Sequence, residues 1–176
     1  VTMITVQYSL RYGRLTHVPE YDDVNYMTDG LRWLEAFYDH GLAGAIEALR
    51  ARPPHSPFSS GLAMASYLIF GAHDWAVNAG NVVVLFTYLL FVDHLLEGVN
   101  LSRRMAIILL SATVPLTTAA VFHFRPDAMC GLVTAMAIVM AVWRGAPAGG
   151  TLRQTVWLGL LLAGALLIKP SVFAMT

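Results

Sequence analysis

Long apolar runs dominate the second half of the chain. Three of them, residues 76–96, 105–122 and 128–143, are apolar over nearly their whole length. Crossing the hydrocarbon core takes roughly 17–25 such residues, so these runs are adequate or slightly short. A fourth run, 155–168, is followed by Lys169 and Pro170, and the long lysine side chain can reach the headgroups from there. The pattern predicts helices at all four places and membrane spans for the first three.

A fifth apolar run, residues 58–72, is shorter than a comfortable span. Its length favours an interfacial or re-entrant helix, and a crossing is the alternative.

Residues 13–57 are more polar and show helical periodicity. Apolar side chains recur there at steps of three and four, at Val24, Met27, Leu31, Leu34 and Tyr38. Charged side chains alternate with them, at Asp29, Arg32, Glu35 and Asp39. Gly41 is a plausible stop, and Leu42, Ile46 and Leu49 then trace a second short helix that ends before Pro53 and Pro54. The pattern predicts two amphipathic helices on the membrane surface.

These elements predict an all-α fold, a polytopic membrane helix bundle with amphipathic juxtamembrane helices in its first external loop. Residues 1–18 are expected to be a lead-in or the end of a truncated first span, because the stretch before Arg11 is too short to cross. Residues 19–57 form the external loop, and residues 58–176 form the transmembrane region. The chain is therefore expected to be a fragment of a longer protein.

Composition supports a membrane protein. Hydrophobic residues make up 57% of the 176 residues and charged residues 12%, which excludes an ordinary soluble enzyme. Lys+Arg and Asp+Glu balance at 11 each, so there is no basic surplus for nucleic acid. The single cysteine, Cys130, excludes an intrachain disulfide framework and is expected to pack as a small hydrophobic residue.

Charge places the loops relative to the bilayer. If residues 58–72 do not cross, Arg103, Arg104 and the arginines at 144 and 153 share one side, which the positive-inside rule makes cytoplasmic. Asp22 and Asp127 then share the external side. If residues 58–72 cross, three spans separate these two aspartates.

Three polar clusters interrupt the apolar background, each beside an expected helix end. They are Asp22, Asp23 and Tyr26; Arg52, Pro53, Pro54 and His55; and His123, Arg125, Pro126 and Asp127. Arginine matches the oxygens of a lipid phosphate, and a nearby carboxylate can take a proton from an attacking hydroxyl. Each cluster also has a structural interpretation, as a helix cap for the aspartates and as headgroup anchors for the arginines.

The order of these clusters resembles the N-terminal part of the protein mannosyltransferase and aminoarabinose transferase group of polytopic GT-C type glycosyltransferases, which use polyprenyl-phosphate sugars. The resemblance runs from Pro19 to Pro170. It implies that Asp22 is the catalytic carboxylate and that Tyr26 lines the same site. Asp23 stands where the family commonly has glutamate. Asp127 matches a second acidic residue on the same membrane face, and Asp23 and Asp127 are expected to be catalytic residues together with Asp22.

The resemblance further implies that Arg52 contacts the donor phosphate, with His55, Arg125 and Lys169 as further substrate-binding residues. The implied reaction is an inverting transfer of a sugar to an acceptor hydroxyl on the external face of a bacterial plasma membrane. Sugar and acceptor are not identified. The histidine spacing does not indicate a metal site, and no cofactor is implied with certainty. Divalent-metal binding by Asp22 with Asp127, as in some relatives of this fold, stays open.

Two other function classes are compatible with the sequence. In a transporter or channel component, Asp93, His94, Asp127 and Lys169 would be ion-pathway residues, although all four lie at expected span ends rather than near the midplane. A noncatalytic membrane assembly subunit is the other alternative.

Overall fold

The computed structural model describes residues 2–13, 15, 19, 21–51, 56–113, 123–124, 126–143 and 152–169. Every regular element in these residues is an α-helix, which confirms the all-α prediction. The helices are α1 (Thr2–Tyr12), α2 (Tyr21–Ala51), α3 (Pro57–Phe70), α4 (Ala76–Gly80), α5 (Val82–Leu95), α6 (Leu101–Thr113), α7 (Pro126–Trp143) and α8 (Leu152–Ile168).

Helix α2 consists of two helical parts that meet at Gly41. The backbone there has φ 65° and ψ −157°, outside the helical region. Positive φ costs little for glycine because it has no Cβ. After the kink the chain turns back so closely that a Cβ on Gly44 would collide with the carbonyl oxygen of Ala36. The predicted pair of helices with a break at Gly41 is therefore confirmed.

Helices α2 and α3 pack antiparallel at close range. A Cβ built on Gly30 would lie 2.6 Å from Ala63 Cβ, and Trp33 lies opposite Gly61. Later residues of α2 thus contact earlier residues of α3, which is antiparallel packing. Glycine at position 30 is what lets the two backbones approach. The core between them contains Tyr26, Leu34, Ala63 and Tyr67, together with Ala76, Val77 and Phe124.

The buried face of α2 is rotated from the expected apolar face. Leu34 is buried, but Val24, Leu31 and Tyr38 are 47%, 41% and 68% exposed. Because α2 contacts α3 at Gly30, the face of α2 that carries Tyr26 and Trp33 packs against α3 instead. The other three residues form an exposed stripe at intervals of seven, which is a continuous line along a helix.

Helices α4 and α5 follow each other with only Asn81 between them, and α6 returns beside α5. The side chain of Asn100 accepts a hydrogen bond from the Arg103 amide at 3.0 Å and so caps the start of α6. Arg103 and Arg104 therefore belong to the first turn of α6. The sequence analysis had placed them in a loop, and this placement was wrong. Two nitrogens of the Arg104 guanidinium group donate hydrogen bonds to the Asp93 carboxylate. This pair links the start of α6 to the end of α5.

Helices α7 and α8 form an antiparallel hairpin. Its core contains Cys130, Val133, Ala165 and Ile168. Cys130 is 5% exposed and packs as the small hydrophobic residue that was predicted. Pro126 begins α7, where its missing amide hydrogen costs nothing, and α8 ends just before Lys169, as expected.

Within the described residues, the one helical stretch long and apolar enough to cross a membrane is Ala76–Leu95, with a mean hydropathy of 1.6. Helices at Pro57–Phe70, Pro126–Val142 and Leu152–Ile168 are apolar but shorter. The 14 residues of α3 extend about 21 Å, less than the hydrocarbon thickness of about 30 Å. Helix formation in the predicted apolar runs is thus confirmed, except for residues 114–122, which lie outside the described residues.

Candidate functional site

The start of α2 presents two adjacent carboxylates in different environments. Asp22 and Asp23 both lie in the first turn, inside the helix, where the helix dipole favours negative charge. Asp22 is exposed, whereas Asp23 is 3% exposed. Tyr26, one turn later, is buried beneath them at 8% exposure. Asp22 is thus the carboxylate that a molecule arriving from outside would meet, and Asp23 is held within the protein.

Asp23 connects this cluster to the segment just before α7. Its Oδ2 lies 3.9 Å from Nδ1 of His123, and the next residue, Phe124, is buried against the same core as Tyr26. Asp127 follows His123 by four residues, so their Cα atoms are at most about 14 Å apart. Two of the three predicted polar clusters therefore adjoin each other in the fold.

Asp127 and Lys169 form an ion pair at the open end of the α7–α8 hairpin. The aspartate side chain is 56% exposed and the lysine side chain 37%, so both remain accessible from solvent. The pair brings together a predicted catalytic residue and a predicted substrate-binding residue. It also makes Asp127 the counter-ion of Lys169.

The start of α3 is tied to the end of α8 beside this pair. The fully buried Ser56 hydroxyl donates to the carbonyl oxygen of Ile168 at 2.5 Å. The hydroxyl oxygen of Ser56 also accepts a hydrogen bond from the Ser59 amide at 3.2 Å, which caps α3. Arg52, His55 and Arg125 lie outside the described residues. His55 nevertheless precedes Ser56 directly in the chain, so the second cluster leads into this anchor point.

A polar group missed by the sequence analysis occupies the turn between α3 and α4. The Ser9 hydroxyl oxygen lies 2.8 and 2.7 Å from the two carboxylate oxygens of Asp74 and donates a hydrogen bond to that carboxylate. Burial, with a smaller contribution from the charge of Asp74, raises the pKa of Tyr67 to about 12. The only signal in the sequence is the polar pair His73–Asp74 between two apolar runs.

The proposed ion-pathway residues are held in local pairs. Asp93 is bound by Arg104, and His94 Nδ1 lies 2.6 Å from Glu97 Oε1. Among the residues with described positions, no three His, Cys, Asp or Glu side chains are grouped so that they could hold a metal ion.

Comparison of the chain with models of known families, with curated proteins and with solved structures gives no match to any of them.

Proposed function

We propose that this chain is the N-terminal part of a polytopic membrane glycosyltransferase. The enzyme moves a sugar from a polyprenyl-phosphate donor to an acceptor hydroxyl on the external face, with inversion at the anomeric carbon. Asp22 is the base, and the cations of the site bind the donor phosphate.

The observation that carries the proposal is the contact between Asp23 and His123. It supports a shared site because it joins the start of α2 to the segment that leads into Asp127. The ion pair of Asp127 with Lys169 extends the polar surface to the end of α8. Ser56 brings in the start of α3, which follows the Arg52–His55 cluster in the chain.

The exposure of the two first-turn aspartates supports a division of roles. Asp22, which is exposed, takes the proton from the acceptor hydroxyl. The freed oxygen forms a bond to the anomeric carbon, and the bond from that carbon to the donor phosphate breaks, its electron pair leaving with the phosphate. Asp23, which is buried against His123, positions the turn and does not meet the acceptor.

Positive charge stabilises the departing phosphate. Lys169 supplies one cation whose ammonium group is partly exposed beside Asp127. Arg52 and Arg125 supply guanidinium groups, which match phosphate oxygens and stay charged. Such preorganised charge acts where the negative charge grows in the transition state.

The apolar surface of the bundle supports a membrane location for the donor. No residue of α5 or α6 is buried within the described structure, although both helices are rich in large apolar side chains. Phe86, Leu90 and Leu110 are 60%, 52% and 66% exposed. Lipid would cover these surfaces, and the polyprenyl tail would stay in the same lipid while the sugar faces water.

The test is sugar transfer by the full-length protein in nanodiscs, with radiolabelled polyprenyl-phosphate sugars as donors. Asp22→Asn should abolish transfer and leave membrane insertion intact. Glu35→Gln is the matched control, an exposed carboxylate on the same helix, and should retain full transfer. Transfer retained by Asp22→Asn would refute the assigned base. No transfer by the wild type, together with solute flux in proteoliposomes that does not depend on Asp22, would favour a transporter instead.

A further inference from the structure

The turn between α3 and α4 presents an aromatic surface with a carboxylate in it. The rings of His73 and Trp75 are stacked, with centroids 5.5 Å apart and planes at 9°. Phe70 lies beside Trp75, with centroids 5.8 Å apart. Phe70, His73 and Asp74 are exposed, and Trp75 is partly exposed. We call these four residues the aromatic turn.

The carboxylate in this turn is held in place. Asp74 accepts hydrogen bonds from the Ser9 hydroxyl and, at 2.8 Å, from the Trp75 amide. Ser9 itself is 3% exposed, so this hydrogen bond is shielded from solvent. An ionised carboxylate has about four lone-pair positions for hydrogen bonds. Asp74 therefore keeps acceptor capacity for a ligand while its orientation is set by the protein.

The aromatic turn lies at the same end of the α2–α3 pair as the proposed base. Because the two helices are antiparallel, the end of α3 lies beside the start of α2. Tyr67, one turn before Phe70, packs in one core with Tyr26, one turn after Asp22. Ala76, which directly follows Trp75, belongs to that core as well.

We propose that the aromatic turn is a carbohydrate-binding surface that takes a pyranose ring. A pyranose has an apolar face of C–H groups, which packs on flat aromatic rings, and hydroxyl groups at its edge, which donate to a carboxylate. Asp74, held by its hydrogen bonds beside Trp75, and the rings of Trp75 and Phe70 together offer both kinds of contact. As a part of the transferase site this deepens the proposed function and rests on it, since the surface would orient the sugar near Asp22.

The competing explanation for exposed aromatic residues here is an anchor in the bilayer interface. Trp75 directly precedes Ala76, the first residue of the candidate span. Against this stands the Asp74 carboxylate, which the Ser9 hydroxyl and the Trp75 amide hold beside the rings, whereas an interfacial anchor needs only the amphipathic ring itself. The two explanations differ in what Trp75 contacts, and this can be measured.

The experiment uses the full-length protein in nanodiscs and, as probes, the methyl pyranosides of glucose, galactose and mannose. Saturation-transfer NMR should show contact through the ring C–H protons of at least one of them. Trp75→Leu and Asp74→Asn should each weaken its binding by about fivefold. Tyr38→Leu is the control, an exposed aromatic residue elsewhere on the surface, and should bind like the wild type. His73→Ala, at an exposed position, replaces Trp75→Leu if that variant does not fold.

Absence of saturation transfer, or equal binding by the wild type and the variants of the turn, would overturn the proposal. So would quenching of Trp75 fluorescence by lipids brominated near the headgroup end of the acyl chain, measured as the difference in quenching between the wild type and Trp75→Phe. The result is separable from the transfer assay. Pyranoside binding that depends on the turn, without sugar transfer, would support the binding surface and refute the transferase. Sugar transfer without such binding would support the transferase and refute the binding surface.

Discussion

Asp23 and His123 approach within 3.9 Å, joining the first turn of α2 to the segment before α7. If this contact stabilises the fold, replacing either residue by alanine should lower the free energy of unfolding by about 1–3 kcal/mol, because the residue that remains loses its electrostatic partner. The double variant should lose less than the sum of the two single variants, with a coupling of about 1 kcal/mol. Thermal unfolding in nanodiscs measures all four proteins.

Asp22→Ala is the control for this cycle. Its side chain is exposed in the same turn, so its effect should add to that of His123→Ala without coupling. Additive losses for Asp23 and His123 would show that the contact contributes nothing to stability.

Gly30→Ala should destabilise the α2–α3 pair. The added methyl group would lie 2.6 Å from Ala63 Cβ and 2.9 Å from the Met64 amide nitrogen, so the helices would have to separate. Overpacking of this kind costs about 1–3 kcal/mol. Gly159→Ala is the matched control in α8, since nothing among the described atoms lies within 4 Å of its new methyl group. Equal melting temperatures for the two variants would argue against the close approach.

Ser56→Ala should destabilise the contact between α3 and α8. It removes the cap of α3 and leaves the buried carbonyl of Ile168 without its donor, at a combined cost of about 2 kcal/mol. Ser111→Ala, which removes a hydroxyl that donates to the Ile108 carbonyl in its own helix, should cost much less. Hydrogen exchange at the end of α8 should rise in Ser56→Ala alone; unchanged exchange there would contradict the anchor.

Stability should fall in alkaline solution because of Tyr67. Burial, followed by the charge of Asp74, raises the pKa of this phenol from its ordinary 10.0 to about 12. The folded protein therefore keeps a proton that the unfolded chain releases, and the stabilisation present below pH 10.0 is lost as pH rises toward 12. Tyr67→Phe should remove this part of the pH dependence. Tyrosinate absorbance should show one late-ionising tyrosine in the wild type, and an unchanged titration in Tyr67→Phe would exclude this assignment.

Features that depend on neighbouring residues were predictable from the sequence. The break at Gly41, the start of α7 at Pro126 and the end of α8 before Lys169 all follow from local backbone preferences. The first turn of α6 was misplaced because capping by Asn100 extends the helix through Arg103 and Arg104.

Features that depend on tertiary packing were not predictable. The apolar periodicity of α2 did not indicate which side turns inward, because the close approach at Gly30 decides it. The contacts from Asp23 to His123 and from Ser56 to Ile168 join residues far apart in the chain. The aromatic turn has no periodic signature, since its rings meet only through the fold of the segment around Gly71.

The most direct test of a shared site is the membrane side of residues 22 and 127. Both aspartates are exposed, so Asp22→Cys and Asp127→Cys can each be made in a background in which the native cysteines, Cys130 among them, are replaced by alanine. An impermeant maleimide added outside oriented vesicles of the full-length protein should label both cysteines, because both helix starts are expected on the external face. Labelling of one from outside and of the other only from inside would separate the two carboxylates by the bilayer and contradict a common catalytic site.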